Sequence, residues 1–148
     1  MVMTFYYNGE SDKVVIKQYT RFLKEFPDNT HILLESGDWL LYHNYYRKAA
    51  WNFEELVKRI PDNGEFWAGL GMACAYGRLP ERAIYACSQA IELLGHGSHF
   101  CIAYMCRAWA YRQMKQWDAS MADYIKAIEY YLNPYKDKSK LELWNIFL

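Results

Sequence analysis

Apolar residues recur along this chain with the spacing of a helix face. Trp67, Leu70, Gly71 and Cys74 stand at i, i+3, i+4 and i+7, and Ala83, Cys87, Ala90 and Ile91 carry the same periodicity through the next stretch. The pattern predicts a helix, a short turn at Gly77-Arg78-Leu79, and a second helix opened by Pro80, whose missing N–H costs nothing in a first turn. Ahead of this pair, residues 11–26 are expected to form a leading helix, with Val15, Tyr19, Phe22 and Leu23 on one face before Pro27. Beyond Pro134, Leu141, Trp144 and Leu148 fall at i, i+3 and i+7, predicting a terminal helix over 136–148. The class is all-α.

The helix pair is copied. Phe26-Pro27-Asp28-Asn29 and Ile60-Pro61-Asp62-Asn63 are the same turn 34 residues apart, and in that register Leu33 maps to Trp67, Gly37 to Gly71, Tyr42 to Tyr76 and Ala49 to Ala83. A third copy follows at a separation of 37, pairing Trp67 with Tyr104, Gly71 with Ala108, Ala83 with Ser120 and Ala90 with Ala127. The three additional residues sit around Gly97-Ser98-His99 and are expected to lengthen the loop, leaving the helices unchanged. Small residues (Gly37, Gly71, Ala108, then Ala49, Ala83, Ser120) mark close helix crossings, and large ones (Phe53, Trp67, Leu70, Tyr111, Tyr124) fill the space beside them.

Trp67-x2-Leu70-Gly71 with Ala83 and Ala90, Ala49-x3-Phe53 with Pro61, and Tyr104, Ala108, Tyr111, Tyr124 and Ala127 together resemble the tetratricopeptide repeat (TPR). The sequence departs from that pattern at Cys74 and Cys87, where aromatics are preferred, and at Ser36 and Leu40 in the first copy. The resemblance implies a right-handed superhelical stack of three hairpins within one domain, 1–148. Its parts would be a leading helix (11–26), repeats at 30–63, 64–100 and 101–134, and a C-terminal capping helix (136–148). It also implies a concave groove lined by the first helix of each hairpin. The groove positions become Leu34, Asp38, Leu41 and Tyr42, then Glu65, Ala68, Met72 and Tyr76, then Met105, Trp109, Arg112 and Gln113. The members of the family that clamp acidic chaperone tails use Lys, Arg and Asn there. This chain has Leu34, Asp38, Ala68, Met72 and Cys106 instead, which disfavours such tails.

Composition narrows the function. Of 148 residues, 53% are apolar and 23% charged, enough for one packed domain and too little charge for a disordered chain. Lys plus Arg equals Asp plus Glu at 17 each, so no global field draws the protein to nucleic acid. No stretch approaches the roughly 20 apolar residues of a membrane span. Met1 to Glu10 lacks the basic and apolar regions of a secretory signal, so a cytoplasmic location is expected, with the four cysteines as free thiols. Aromatic residues reach 18%, large side chains that must be stacked in a core or displayed to a partner.

Chemistry is sparse. His96-x2-His99-x-Cys101, with Cys106 beyond, offers zinc-compatible ligand types but no paired short spacing, so no metal is expected. Cys74 and Cys87 are expected to face each other inside one hairpin as small buried fillers. Gly69-x-Gly71 lies within a helix and is no phosphate loop; His31 and His43 have no carboxylate at catalytic spacing. Neither an enzyme nor a cofactor is expected. The groove set is mostly apolar, aromatic or sulfur-bearing, which suits a hydrophobic peptide or helix of a partner protein. Two alternatives stay open. One is a chaperone of a bacterial type III secretion system holding a hydrophobic translocator, on likeness of layout. The other is an assembly subunit, a homo-oligomer included, displaying Tyr45, Trp51, Tyr85, Tyr130 and Tyr131 while its own tail fills the groove.

Overall fold

The structure, a computed structural model, describes residues 11–132. These form seven α-helices: α1 (Asp12–Glu25), α2 (Thr30–Tyr42), α3 (Tyr46–Arg59), α4 (Gly64–Tyr76), α5 (Pro80–Leu94), α6 (Ser98–Gln113) and α7 (Trp117–Leu132). No strand occurs among the described residues. The copied Pro-Asp-Asn turn explains two boundaries. The residue before proline is excluded from helical backbone, which stops α1 at Phe26 and α3 at Ile60. Two residues later an asparagine caps the next helix: Asn29 Oδ1 accepts from the backbone N–H of His31 and Ile32 at 3.0 and 3.1 Å, and Asn63 Oδ1 from Glu65 and Phe66 at 2.9 and 3.2 Å.

The turn inside each hairpin is also copied. Asn44, Arg78 and Lys115 take left-handed backbone with φ of 65, 58 and 59°. The N–H groups of Tyr45, Leu79 and Gln116 reach back five residues to the carbonyls of Leu40, Cys74 and Tyr111 at 2.8, 2.9 and 2.9 Å. This is the bond that closes a helix end in a Schellman turn. It reverses the chain within three residues and sets α2 on α3, α4 on α5 and α6 on α7.

Packing between helices depends on the small positions. Phe53 of α3 is 2% exposed, and a methyl built on Gly37 of α2 or Gly69 of α4 would lie 3.1 or 2.4 Å from its ring. Two glycines therefore admit one phenylalanine between two neighbouring helices. Gly71 makes the equivalent close approach to Cys87 Sγ across α4 and α5, where a methyl would come within 2.4 Å. Among the described residues, Phe53, Leu33, Leu56, Cys74 and Cys87 are the largest fully buried side chains, and both cysteines are free thiols.

One expectation is corrected. The additional residues of the third copy do not enlarge a loop: α6 begins at Ser98, and only Gly95 to Gly97 separate it from α5. α6 has 16 residues where α2 and α4 have 13, so the helix grew instead. Gly97, at φ 95°, ends the reversal, and Phe100 gives the added turn a buried anchor at 4% exposure.

α7 ends the described stack with an uncovered apolar stripe: Trp117, Met121, Ile125, Ile128 and Leu132 are all exposed. The terminal helix expected over 136–148 lies outside the described residues.

Candidate functional site

Four of the expected groove residues meet around one cavity. Met72 and Tyr76 from α4, with Met105 and Trp109 from α6, line a space of about 280 Å³ completed by Ala75, Ile102, Cys106 and Tyr124. It exists because α4 packs directly on α6 and the residues between them are alternately small and long. Ala75 is 1% exposed and forms floor, whereas Tyr76, Met105 and Trp109 stand 49, 51 and 39% exposed around the mouth. The wall is braced by polar contacts. Gln113 Nε2 donates to the Ala75 carbonyl at 2.8 Å, tying α6 to α4. The Arg112 guanidinium sits 5.3 Å over the Trp109 ring, covering one aromatic face with a cation. Tyr76 also meets Tyr46 of α3, ring centroids 5.4 Å apart.

The remaining expected residues are not in that cavity. Leu34 and Leu41 of α2 are half-buried and pack against the core, and Ala68 is 1% exposed and offers no surface. Tyr42 projects outward at 84% exposure with its ring edge on His43. Asp38 reaches solvent, yet the surrounding helices desolvate its carboxyl and hold its pKa above the usual carboxylate range, with His99 acting in the opposite sense. His99 Nδ1 also lies 3.8 Å from Glu65 Oε1. The added turn of α6 thus carries an imidazole into the neighbourhood of two carboxylates from α2 and α4.

Three further features escaped the sequence reading. Tyr124 lines the cavity from α7, a second helix of a hairpin, which the first-helix pattern passes over. Arg107 stands where the repeat places Leu70 in the previous copy, and it is held by Asp123, a bidentate pair at 2.7 and 2.8 Å, with Ser88 accepting at 2.9 Å. The signal was present in the register, because Asp123 occupies the place of Ala86 and a buried cation requires an anion. Finally, Tyr45 is half-buried rather than displayed, its hydroxyl donating to Asp12 Oδ2 at 3.1 Å. Of the other aromatics read as displayed, Trp51, Tyr85 and Tyr131 are well exposed, and Tyr130 packs edge-on against Phe100 at 4.6 Å.

Among the described residues no group of His, Cys, Asp and Glu is arranged to hold a metal ion, and no helix is long and apolar enough to cross a membrane. The thiols facing the interior are poor nucleophiles. Burial pushes Cys74 up to about 11 and Cys106 up to about 12, and raises Cys87 well above its ordinary value.

No protein-family model matches the chain, and no curated protein matches it by sequence. Solved structures do match. The MamA of AMB-1 is 21% identical with a TM-score of 0.68, the match covering 76% of this chain and 65% of that one. The MamA of MSR-1 is 19% identical with a TM-score of 0.71, covering 80% and 66%. MamA from Desulfovibrio magneticus RS-1, from residue 41 to its end, is 18% identical with a TM-score of 0.70, covering 84% and 68%. This chain therefore spans about two thirds of the length of those structures. The likeness is one of fold: an all-α, TPR-like helical repeat.

Proposed function

We propose that the chain is a non-enzymatic protein–protein interaction module that holds an apolar segment of a partner protein, peptide or helix, in the cavity between α4 and α6. The observation that carries this reading is the convergence of Met72, Tyr76, Met105 and Trp109 on one open, apolar space of about 280 Å³. Methionine and aromatic side chains give large contact area with adaptable shape, the usual equipment of a surface that accepts an apolar anchor. A leucine or phenylalanine side chain fits such a volume, and Arg112 and Gln113 at the same end supply polar contacts to its backbone. TPR-like repeats have a surface of this kind to offer because each hairpin buries only its sides against its neighbours.

The test is capture and competition. A partner retained by the immobilised chain should lose about 1 to 2 kcal/mol of affinity with Trp109→Ala and as much with Tyr76→Ala, helicity and melting temperature being unchanged. Loss of helicity would make these residues core, and unaltered affinity would place the partner elsewhere.

A second reading, an assembly subunit making permanent contacts, draws on the apolar stripe of α7 and on exposed Trp51 and Tyr85. Sedimentation separates the two: an obligate oligomer favours the subunit, a monomer that binds peptide favours the module.

A further inference from the structure

The second hairpin closes a gap that the first leaves open. In the second hairpin the floor position is the buried Leu70 of α4, and Arg82 of α5 forms an ion pair with Glu54 of α3. Between α5 and α7 the same floor position is Arg107, held by Asp123 and Ser88. Moving back one 34-residue period replaces Leu70 by Ser36, Arg82 by Lys48 and Glu54 by Thr20. The first hairpin thus lacks both the apolar plug and the anion.

The consequence is visible in the packing. A hollow of about 380 Å³ opens between α1, α2 and α3, with Ile16, Leu23, Leu40 and Trp51 as its apolar walls and the buried Ser36 and Asn52 at its base. Among the described residues its charged lining consists of Lys24 and Lys48, with no carboxylate. Lys48 has its ammonium 5.6 Å over the Tyr45 ring, in the register where Arg82 meets Glu54.

We propose that this hollow is a second docking site, taking from a partner protein a segment with an aliphatic side chain next to a carboxylate. The aliphatic group takes the place that Leu70 fills in the second hairpin, and the carboxylate takes the place of Glu54, opposite Lys48. The chain's own second hairpin thus displays the complement of what its first one lacks. Apolar burial supplies the affinity, and the lysines select an acidic segment over a neutral or basic one.

The experiment is an NMR titration of the full ¹⁵N-labelled chain with acetyl-Leu-Glu-amide and acetyl-Leu-Gln-amide, read at the Trp51 indole N–H. The glutamate peptide should shift that signal saturably, and the glutamine peptide should bind about tenfold more weakly. Lys48→Gln should erase the difference between the two peptides. Ser36→Leu, which restores the plug, should abolish binding while raising the melting temperature, an outcome no general loss of folding can imitate. Equal affinity for the two peptides, or full binding by Ser36→Leu, overturns the proposal. Contacts between residues Met1–Glu10 and the Trp51 ring in the free chain also overturn it, since the hollow would then be closed by the molecule itself.

Discussion

A single methyl group at Gly71 tests how tightly α4 and α5 are matched. It would come within 2.4 Å of Cys87 Sγ and 3.2 Å of the Cys87 backbone nitrogen, so either the sulfur or the helix must move. Gly71→Ala should cost about 1 to 3 kcal/mol in urea unfolding. Removing the sulfur with Cys87→Ala in the same chain should return much of that, because the nearest obstacle is then gone; simple additivity would show that backbone contact dominates. Asp38 poses a question of charge rather than shape. Its raised pKa means that the fold holds this proton more tightly than the unfolded chain does. That contribution is complete below the unfolded pKa and is lost as pH rises through the folded one. Asp38→Asn, which cannot ionise, should therefore gain on the wild type as pH increases, the difference being flat below the ordinary carboxylate pKa and levelling off above the raised one. Melting curves across that range decide it, and a difference independent of pH would mean that Asp38 is solvated as freely in the fold as outside it.

Each hairpin turns on a left-handed residue, and in no copy is it glycine. A left-handed conformation costs an ordinary L-residue about 1 to 2 kcal/mol, while asparagine visits it readily. Arg78→Gly and Lys115→Gly should therefore stabilise the chain by about 0.5 to 1 kcal/mol each, and Asn44→Gly by much less. Chemical denaturation of the three variants ranks them; equal effects would remove the turn from the account. The turn also shows what the sequence could and could not say. Pro27, Pro61, Asn29 and Asn63 announce the connections between hairpins, because proline and a capping side chain act locally. Gly77 draws the eye inside the second hairpin, yet its φ is −74° and the strained residue is Arg78. The extension of α6 was hidden for another reason. Ser98, His99 and Phe100 carry no helical propensity that outweighs a neighbouring glycine, and the turn forms because Phe100 finds a buried place beside Tyr104 and Tyr130. Through the TPR resemblance, Met72, Tyr76, Met105 and Trp109 were legible as sharing one surface, and they line the same cavity. Leu34 and Leu41 were not, because the same register puts a side chain on the surface or in the core according to what the next helix brings against it.

Every second helix in this stack offers the same face to the helix that follows. Ala50 and Val57 on α3 are buried at 3 and 6%, and their counterparts Ile84 and Ile91 on α5 pack against the core. One period on, Met121 and Ile128 of α7 are 62 and 57% exposed. The positions stay apolar although no described helix covers them, so the face is built to be covered. Leu141, Trp144 and Leu148 repeat the spacing of Trp67, Leu70 and Cys74 on α4. A tail seated on α7 leaves the cavity between α4 and α6 to a partner, whereas a tail seated in that cavity abolishes the vacancy on which the interaction reading depends. Double-mutant cycles in the full chain distinguish the two seats. If the tail covers α7, Ile128→Ala and Trp144→Ala should each destabilise, with a coupling above about 0.5 kcal/mol, and Met105→Ala should add to Trp144→Ala independently. The reverse pattern, coupling at Met105 and additivity at Ile128, would mean that the protein occupies its own site and that any partner must first displace residues 136–148.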